Sequence, residues 1–211
     1  MIGIIDYEFG NTQSVENSIE YLGFKKKKCR SKIDFKNCTH IILPGVGSFN
    51  KCMQALKDLD LLDILNQSVI DEKKFYLGIC VGFQILFTSG VEGKKTKGLG
   101  WLEGECKKLK DSDNIRLPHM GWNTIENKNN IEFFNHINPQ DLNFYFLHSY
   151  VVKNNHLNTG NLKFASTKYG EDFVSAVQKD NILGVQFHPE KSQDSGLQFL
   201  KNFCEQNNEH A

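Results

Sequence analysis

Apolar residues recur along this chain in two rhythms. Short runs at Ile2-Gly3-Ile4-Ile5, His40-Ile41-Ile42-Leu43, Phe75-Tyr76-Leu77 and Leu183-Gly184-Val185 have the length and texture of buried parallel strands. Between them the apolar positions fall at helical spacing: Val15, Ile19 and Leu22, closed by Gly23, and then again across about 50–70. Strand, helix, strand, helix with short turns predicts an α/β fold, mostly parallel and covered on both faces. From Gly98 onward the texture changes to short strands near 101–109, 143–152, 161–167, 173–179 and 182–188, with Asp180-Asn181 as a hairpin turn. A last helix carries Leu197, Leu200 and Phe203. No repeat or linker rich in Pro, Gly or Ser interrupts the pattern, so a single domain over 1–211 is expected.

Charge and cysteine content narrow the classes. Lys plus Arg and Asp plus Glu are 25 each, so no net field draws the 211-residue chain to nucleic acid or to a membrane surface. The densest charge run, Lys25 to Lys28, has no interleaved aromatics for base stacking and reads as a solvated sheet edge. No stretch reaches membrane-spanning length, and the chain starts on a strand without a signal-peptide pattern. The six cysteines have no paired spacing, which argues against a zinc site or a disulfide framework and for a reducing, cytoplasmic setting. No metal or cofactor is expected. Cys29, Cys38, Cys52, Cys106 and Cys204 read as small buried hydrophobes.

Cys80 reads differently. It follows the apolar run 75–79, has glycines two residues to either side, and precedes Phe83, Leu86 and Phe87 at helical spacing. That pattern predicts a sharp strand-to-helix turn that pushes a nucleophilic thiol out of the sheet, with the helix N-terminus favouring thiolate. Far along the chain a second apolar strand ends in His188-Pro189-Glu190. Pro189 is expected to hold that segment extended, so that His188 and Glu190 share a face. Nucleophile, base and orienting carboxylate are then all present.

On these residues the chain resembles the class I (triad-type) glutamine amidotransferases, and within them the glutaminase subunits of imidazole glycerol phosphate synthase. The likeness runs through Asp6-Tyr7 with Gly10-Asn11, Leu43-Pro44-Gly45-Val46-Gly47, Gly78-Ile79-Cys80, Pro118-His119-Met120-Gly121-Trp122-Asn123, Phe146-Leu147-His148-Ser149-Tyr150 and Gln186-Phe187-His188-Pro189-Glu190-Lys191-Ser192-Gln193. The resemblance implies a flavodoxin-like fold with added antiparallel strands. It implies hydrolysis of L-glutamine through a cysteine thioester, with ammonia passed to a (β/α)8-barrel cyclase of the HisF type in a heterodimer. Catalytic roles then fall to Cys80, His188 and Glu190, and the oxyanion would meet Val81 and Val46 or Gly47. Substrate contacts fall to Gly45, Gln84, Glu92, His148, Ser149 and Tyr150, and the partner face to Asn11, Trp122, Tyr145 and Lys191. Glu8 and Phe83 depart from the family's usual glycine and methionine. Three alternatives keep different parts of this reading: a paralogue supplying ammonia for amidation of a sugar, a stand-alone cysteine hydrolase, and a catalytically dead binding subunit.

Overall fold

The computed structural model describes residues 1–7, 10–110, 115–153 and 160–207; Glu8 lies outside them. Its first half alternates β1 (Ile2–Ile5), α1 (Thr12–Tyr21), β2 (Lys26–Cys29), β3 (His40–Leu43), α2 (Phe49–Asp58), α3 (Leu62–Asn66) and β4 (Phe75–Ile79). Then follow α4 (Val81–Gln84), β5 (Phe87–Gly90), β6 (Thr96–Lys97), β7 (Leu102–Lys108), β8 (His119–Thr124), β9 (Asn143–His148) and β10 (Tyr150–Val152). The hairpins β11 (Lys163–Tyr169), β12 (Glu171–Lys179) and β13 (Ile182–Val185) lead to α5 (Gln193–Cys204).

Seven strands form the central sheet in the order β11-β12-β13-β4-β3-β1-β2, parallel from β13 to β2 and antiparallel at the β11-β12-β13 end. A four-stranded sheet, β10-β7-β5-β6, and a two-stranded ribbon, β8-β9, lie beside it. Side chains alternate across the central strands. Ile5, Ile41, Leu43 and Tyr76 join the core that α2 and α3 cover through Cys52, Leu56, Ile64 and Leu65. Ile4, Ile42, Leu77 and Leu183 join the core covered by Val15 and Ile19 of α1 and Phe199, Leu200 and Phe203 of α5. The lysine-rich β2 is an edge strand, as expected, with Lys26 paired to Glu16 and Glu20 and Lys28 to Glu16 and Asp6. Asp180, at φ 51°, turns β12 into β13. No helix among the described residues is long and apolar enough to cross a membrane.

Three elements differ from the sequence reading. The helix after Cys80 stops at Gln84, and Phe87 begins β5. The carbonyls of Ile85, Leu86 and Phe87 accept from Leu99, Leu102 and Gly100 rather than from a next helical turn. Residues 85–87 are all fully buried, so their spacing could not separate helix from strand. The strand foreseen over 143–152 breaks at Ser149, with β9 pairing β8 and β10 pairing β7. Strand β8 was not foreseen at all, since its alternation is carried by His119, Gly121 and Asn123 rather than by apolar residues.

Backbones approach closely where β3 passes α4. A Cβ placed on Gly82 would sit 2.1 Å from the Leu43 carbonyl oxygen, whereas one on Gly47 would meet nothing within 4 Å. Gly82→Ala is therefore expected to lower unfolding stability by about 1–3 kcal/mol or more, and Gly47→Ala by less than about 0.5 kcal/mol. Urea titration of the two variants side by side checks the contrast.

Candidate active site

Cys80 stands between β4 and α4 at φ 54° and ψ −105°, a left-sided conformation that a side-chain-bearing residue adopts only when its surroundings enforce it. Its N–H donates to the Val185 carbonyl at 2.8 Å, which ties the turn to β13. Gly78 and Gly82 leave the room, since a Cβ on Gly78 would lie 2.3 Å from the Gly82 oxygen. With only four residues in α4, few peptide dipoles add up, so side chains dominate the field at the sulfur. Two polar groups reach that sulfur. Its thiol can donate to the Leu147 carbonyl at 3.7 Å, and Gln186 Nε2 donates to it at 3.7 Å.

His188 arrives from the adjacent strand end, its N–H bonded to the Tyr145 carbonyl at 2.8 Å. Residues 189–191 form a 3₁₀ turn with Pro189 at its first position, not the extended segment the sequence suggested. The turn still brings Glu190 Oε1 to 2.9 Å from His188 Nδ1, with both side chains 1% exposed. A carboxylate can only accept, so the Nδ1 proton points at Glu190 and Nε2 is left for the sulfur side. Nε2 is buried without a hydrogen-bond partner among the described residues. Burial alone would depress this imidazole, but negative charge at Cys80 and the carboxylate of Glu190 outweigh it and raise its pKa to about 10. Asn11 turns inward to Glu190 Oε1 at 3.3 Å, and its own oxygen accepts from Ser14. The sequence had placed Asn11 on the partner face; here it is half-buried and touches the carboxylate.

Cys80 opens into a cavity of about 290 Å³ lined by Val46, Gly47, Gln84, Glu92, Pro118, Leu147, His148, Ser149 and Tyr150. The size suits a small metabolite rather than a large ligand. Seven of the nine residues assigned to oxyanion or substrate contact line it, and the other two, Val81 and Gly45, each adjoin a lining residue. Gly45 is buried against Val81 and the Tyr7 hydroxyl, where a Cβ would come within 2.0 Å of Val81 Cγ1. Its contribution is to let the 44–47 turn lie against the residue after Cys80. Glu92 lends Oε2 to the Phe49 N–H at the start of α2, 2.9 Å away, and burial raises its pKa. Gln84 spends Nε2 on the Tyr150 carbonyl and on Gln186 Oε1, each at 3.0 Å. Its oxygen is therefore the group left to face the cavity.

Behind the cavity wall runs a chain of neutral imidazoles. The Tyr150 carbonyl can only accept, so His148 Nδ1, 3.1 Å away, carries a proton. His148 Nε2 then accepts from His119 Nδ1 at 3.0 Å, and His119 Nε2 accepts from the Asn123 amide at 3.2 Å. Burial depresses His119 to about 4, and burial with His119 alongside pushes His148 well down. On the outer side of the β8-β9 ribbon, Met120 is 65% and Trp122 45% exposed, next to a half-buried Tyr145. Trp122 packs edge-on to Tyr145 at 6.2 Å and Lys191 Nζ lies 6.0 Å from the Tyr145 ring centre. Sequence reasoning missed Gln186, Leu147 and Pro118 at the site. For the first, the sequence offers only a glutamine placed directly after the apolar run 183–185. The other two contribute a backbone carbonyl and a ring wall, which residue type does not disclose.

The class I glutamine amidotransferase family model matches residues 3–207. The chain is 40% identical over 205 residues to the imidazole glycerol phosphate synthase subunit HisH 1 of Campylobacter jejuni strain RM1221, covering 96% of this chain and 98% of that one. It is 44% identical over 214 residues to HisH 2 of Methanococcus maripaludis, covering 98% and 100%. Among solved structures it is similar to a glutamine amidotransferase, with TM-score 0.70, 19% identity and 96% and 98% coverage. It is equally similar in fold to PurLQS from Thermotoga maritima, with TM-score 0.70 at 18% identity and 96% coverage of each chain.

The neutral histidine pair makes a pH prediction. A histidine held below its unfolded pKa takes up no proton in the folded state while the unfolded chain does. Stability contributed by His119 is thus present above about pH 6.5 and lost as pH falls toward about 4, by as much as about 1.4 kcal/mol per pH unit. Denaturant titrations at pH 7.5, 5.5 and 4.5 should show this loss, and His119→Gln should flatten it.

Proposed function

This chain belongs to the class I glutamine amidotransferases and, within them, to the HisH subunits of imidazole glycerol phosphate synthase, the enzyme of histidine biosynthesis; on that footing we propose that it hydrolyses glutamine at Cys80 and channels the ammonia to a HisF-type barrel cyclase. One observation carries the reading: a buried Cys80 opens into a small cavity, and His188 and Glu190 are bonded to each other at 2.9 Å beside it. The proposed place of action is the cytoplasm, where the six cysteines stay reduced.

In this mechanism the glutamine lies in the cavity with its α-ammonium near Glu92 and its side-chain carboxamide beside Cys80. The Cys80 thiol passes its proton to His188 Nε2, the sulfur attacks the carboxamide carbon, and the oxygen takes up the negative charge. Val81, at the first position of α4, has an N–H with no acceptor inside the helix, so it can meet that oxyanion. A second N–H from Val46 or Gly47 completes the pair; such donors contribute about 3 kcal/mol each to the transition state. His188 gives its Nε2 proton to the departing nitrogen, the C–N bond breaks, and ammonia leaves a γ-glutamyl thioester on Cys80. His188 then takes a proton from water, the resulting hydroxide attacks the thioester carbonyl, and the C–S bond breaks to release glutamate and restore the cysteine. Glu190 keeps the imidazole in the right tautomer and supports its charged form. Ammonia released in open neutral water is mostly protonated and no longer nucleophilic, so delivery through a closed interface preserves its reactivity.

The exposed Met120 and Trp122, with Tyr145 and Lys191, form the proposed docking face for the cyclase. An exposed tryptophan beside an aromatic and a cation is the composition of an interface anchor.

A glutamine-derived electrophile should add one mass equivalent at Cys80, and Cys80→Ala should abolish glutamate release; activity surviving that substitution would remove Cys80 from the chemistry. Glu190→Gln should slow turnover while leaving glutamine binding nearly unchanged, measured as kcat against KM. Full activity in that variant would point to a Cys-His dyad. The chain alone should release glutamate slowly, and a cyclase carrying its nucleotide should stimulate it strongly. Trp122→Ala should weaken the complex by about 2 kcal/mol while Cys80 remains alkylable, as read by titration calorimetry and mass spectrometry. Equal rates with and without the cyclase would favour the free-standing hydrolase.

A further inference from the structure

Strands β4 and β13 run parallel with Ile79 opposite Val185, so the first residues past both strands are neighbours: Cys80 and Gln186. Gln186 is fully buried, and its backbone N–H is fixed to the Ser175 carbonyl at 2.9 Å. The orientation of its side-chain amide follows from its partners. Gln84 donates to Gln186 Oε1 at 3.0 Å and also to the Tyr150 carbonyl at 3.0 Å, so Gln84 presents its nitrogen and Gln186 must answer with its oxygen. That leaves Gln186 Nε2 aimed at Cys80 Sγ, 3.7 Å away.

This placement treats the two states of the sulfur unequally. A thiol is a weak acceptor and compensates a buried amide donor poorly. A thiolate carries a full charge, and a hydrogen bond to it is of the stronger, charge-assisted kind. The donor therefore gains most while the sulfur carries negative charge: in the thiolate that attacks, and again as the C–S bond breaks to regenerate it. Gln186 is fully buried behind the sulfur and takes no part in lining the cavity.

We infer that Gln186 is a positioning residue that holds a hydrogen-bond donor against the Cys80 sulfur and, through Gln84, ties the sulfur's environment to the Tyr150 carbonyl at the cavity wall. The inference rests on the reading of Cys80 as the nucleophile. A merely structural Gln186 would serve only to satisfy Gln84, and then the reactivity of Cys80 would not depend on its amide protons.

Two variants separate these roles. Gln186→Met keeps length and volume and removes the donor; Gln186→Glu keeps an acceptor for Gln84 and also removes the donor at neutral pH. The measurement is the iodoacetamide alkylation rate at Cys80, followed by peptide mass spectrometry from pH 6 to 9.5, with circular dichroism and melting to establish folding. Alkylation at pH 7 should fall about tenfold in Gln186→Met and further in Gln186→Glu, the deficit closing toward pH 9.5. In the complex with the cyclase, kcat for glutamine should fall about tenfold in parallel while KM stays within about twofold. If Gln186→Met does not fold, Gln186→Glu carries the decision. Folded variants with the wild-type alkylation profile would overturn the inference and leave the nucleophile reading standing. Glutaminase activity that survives Cys80→Ala would instead overturn the nucleophile reading itself.

Discussion

The whole site hangs on a single backbone turn. Cys80 at φ 54° can exist only because β3, β4 and β13 converge on it with no side chains in the way. Leu43 presses its carbonyl toward Gly82, Gly78 faces the Gly82 oxygen, and Val185 accepts the Cys80 N–H. Each of these contacts involves main chain rather than side chain, so the sulfur's position is set by the sheet itself. The same crowding places Gly45 against Val81, which brings the 44–47 turn to the mouth of the cavity. A strain of about 1–3 kcal/mol at one residue is thereby held by a fold-wide set of strand contacts.

Electrostatics then divides the histidines into two populations. His119, His148 and His188 are all nearly inaccessible, yet the first two are held neutral and the third is pushed toward the charged form. Burial acts in the same direction on all three. What differs is the company: a carbonyl and a second imidazole on one side, a carboxylate and a cysteine on the other. The neutral pair serves as a fixed set of dipoles behind the cavity wall, and the mobile proton is confined to the one imidazole next to the sulfur.

Much of this was readable in the sequence where residue type and chain direction coincide. Four apolar runs gave the parallel strands, the Lys25 to Lys28 run gave the edge, and glycines around Cys80 gave the turn. Reading failed where hydrogen bonds rather than hydrophobicity decide. The helix after Cys80 is cut short by carbonyls that bond to the 99–102 loop, and no local propensity signals that. The 3₁₀ turn at Pro189 was misjudged because the proline restricts His188 but leaves residues 190 and 191 free to coil. The family resemblance places Asn11 on the partner face, but not its contact with Glu190, which lies 179 positions away and is visible only in the fold. Gln186 was quoted within a motif but given no part, since only the register of β4 with β13 reveals its neighbour.

The β8-β9 ribbon has a consequence of its own for how such a protein can diverge. Along β8 the side chains alternate, with His119 turned into the molecule and Met120, Trp122 and Thr124 turned out. Along β9, Phe144, Phe146 and His148 point inward in the same way. A two-residue period thus separates the exposed positions, which make up the proposed docking face, from the interleaved set packed toward the core. Changes at the outward positions can accumulate without moving an inward atom.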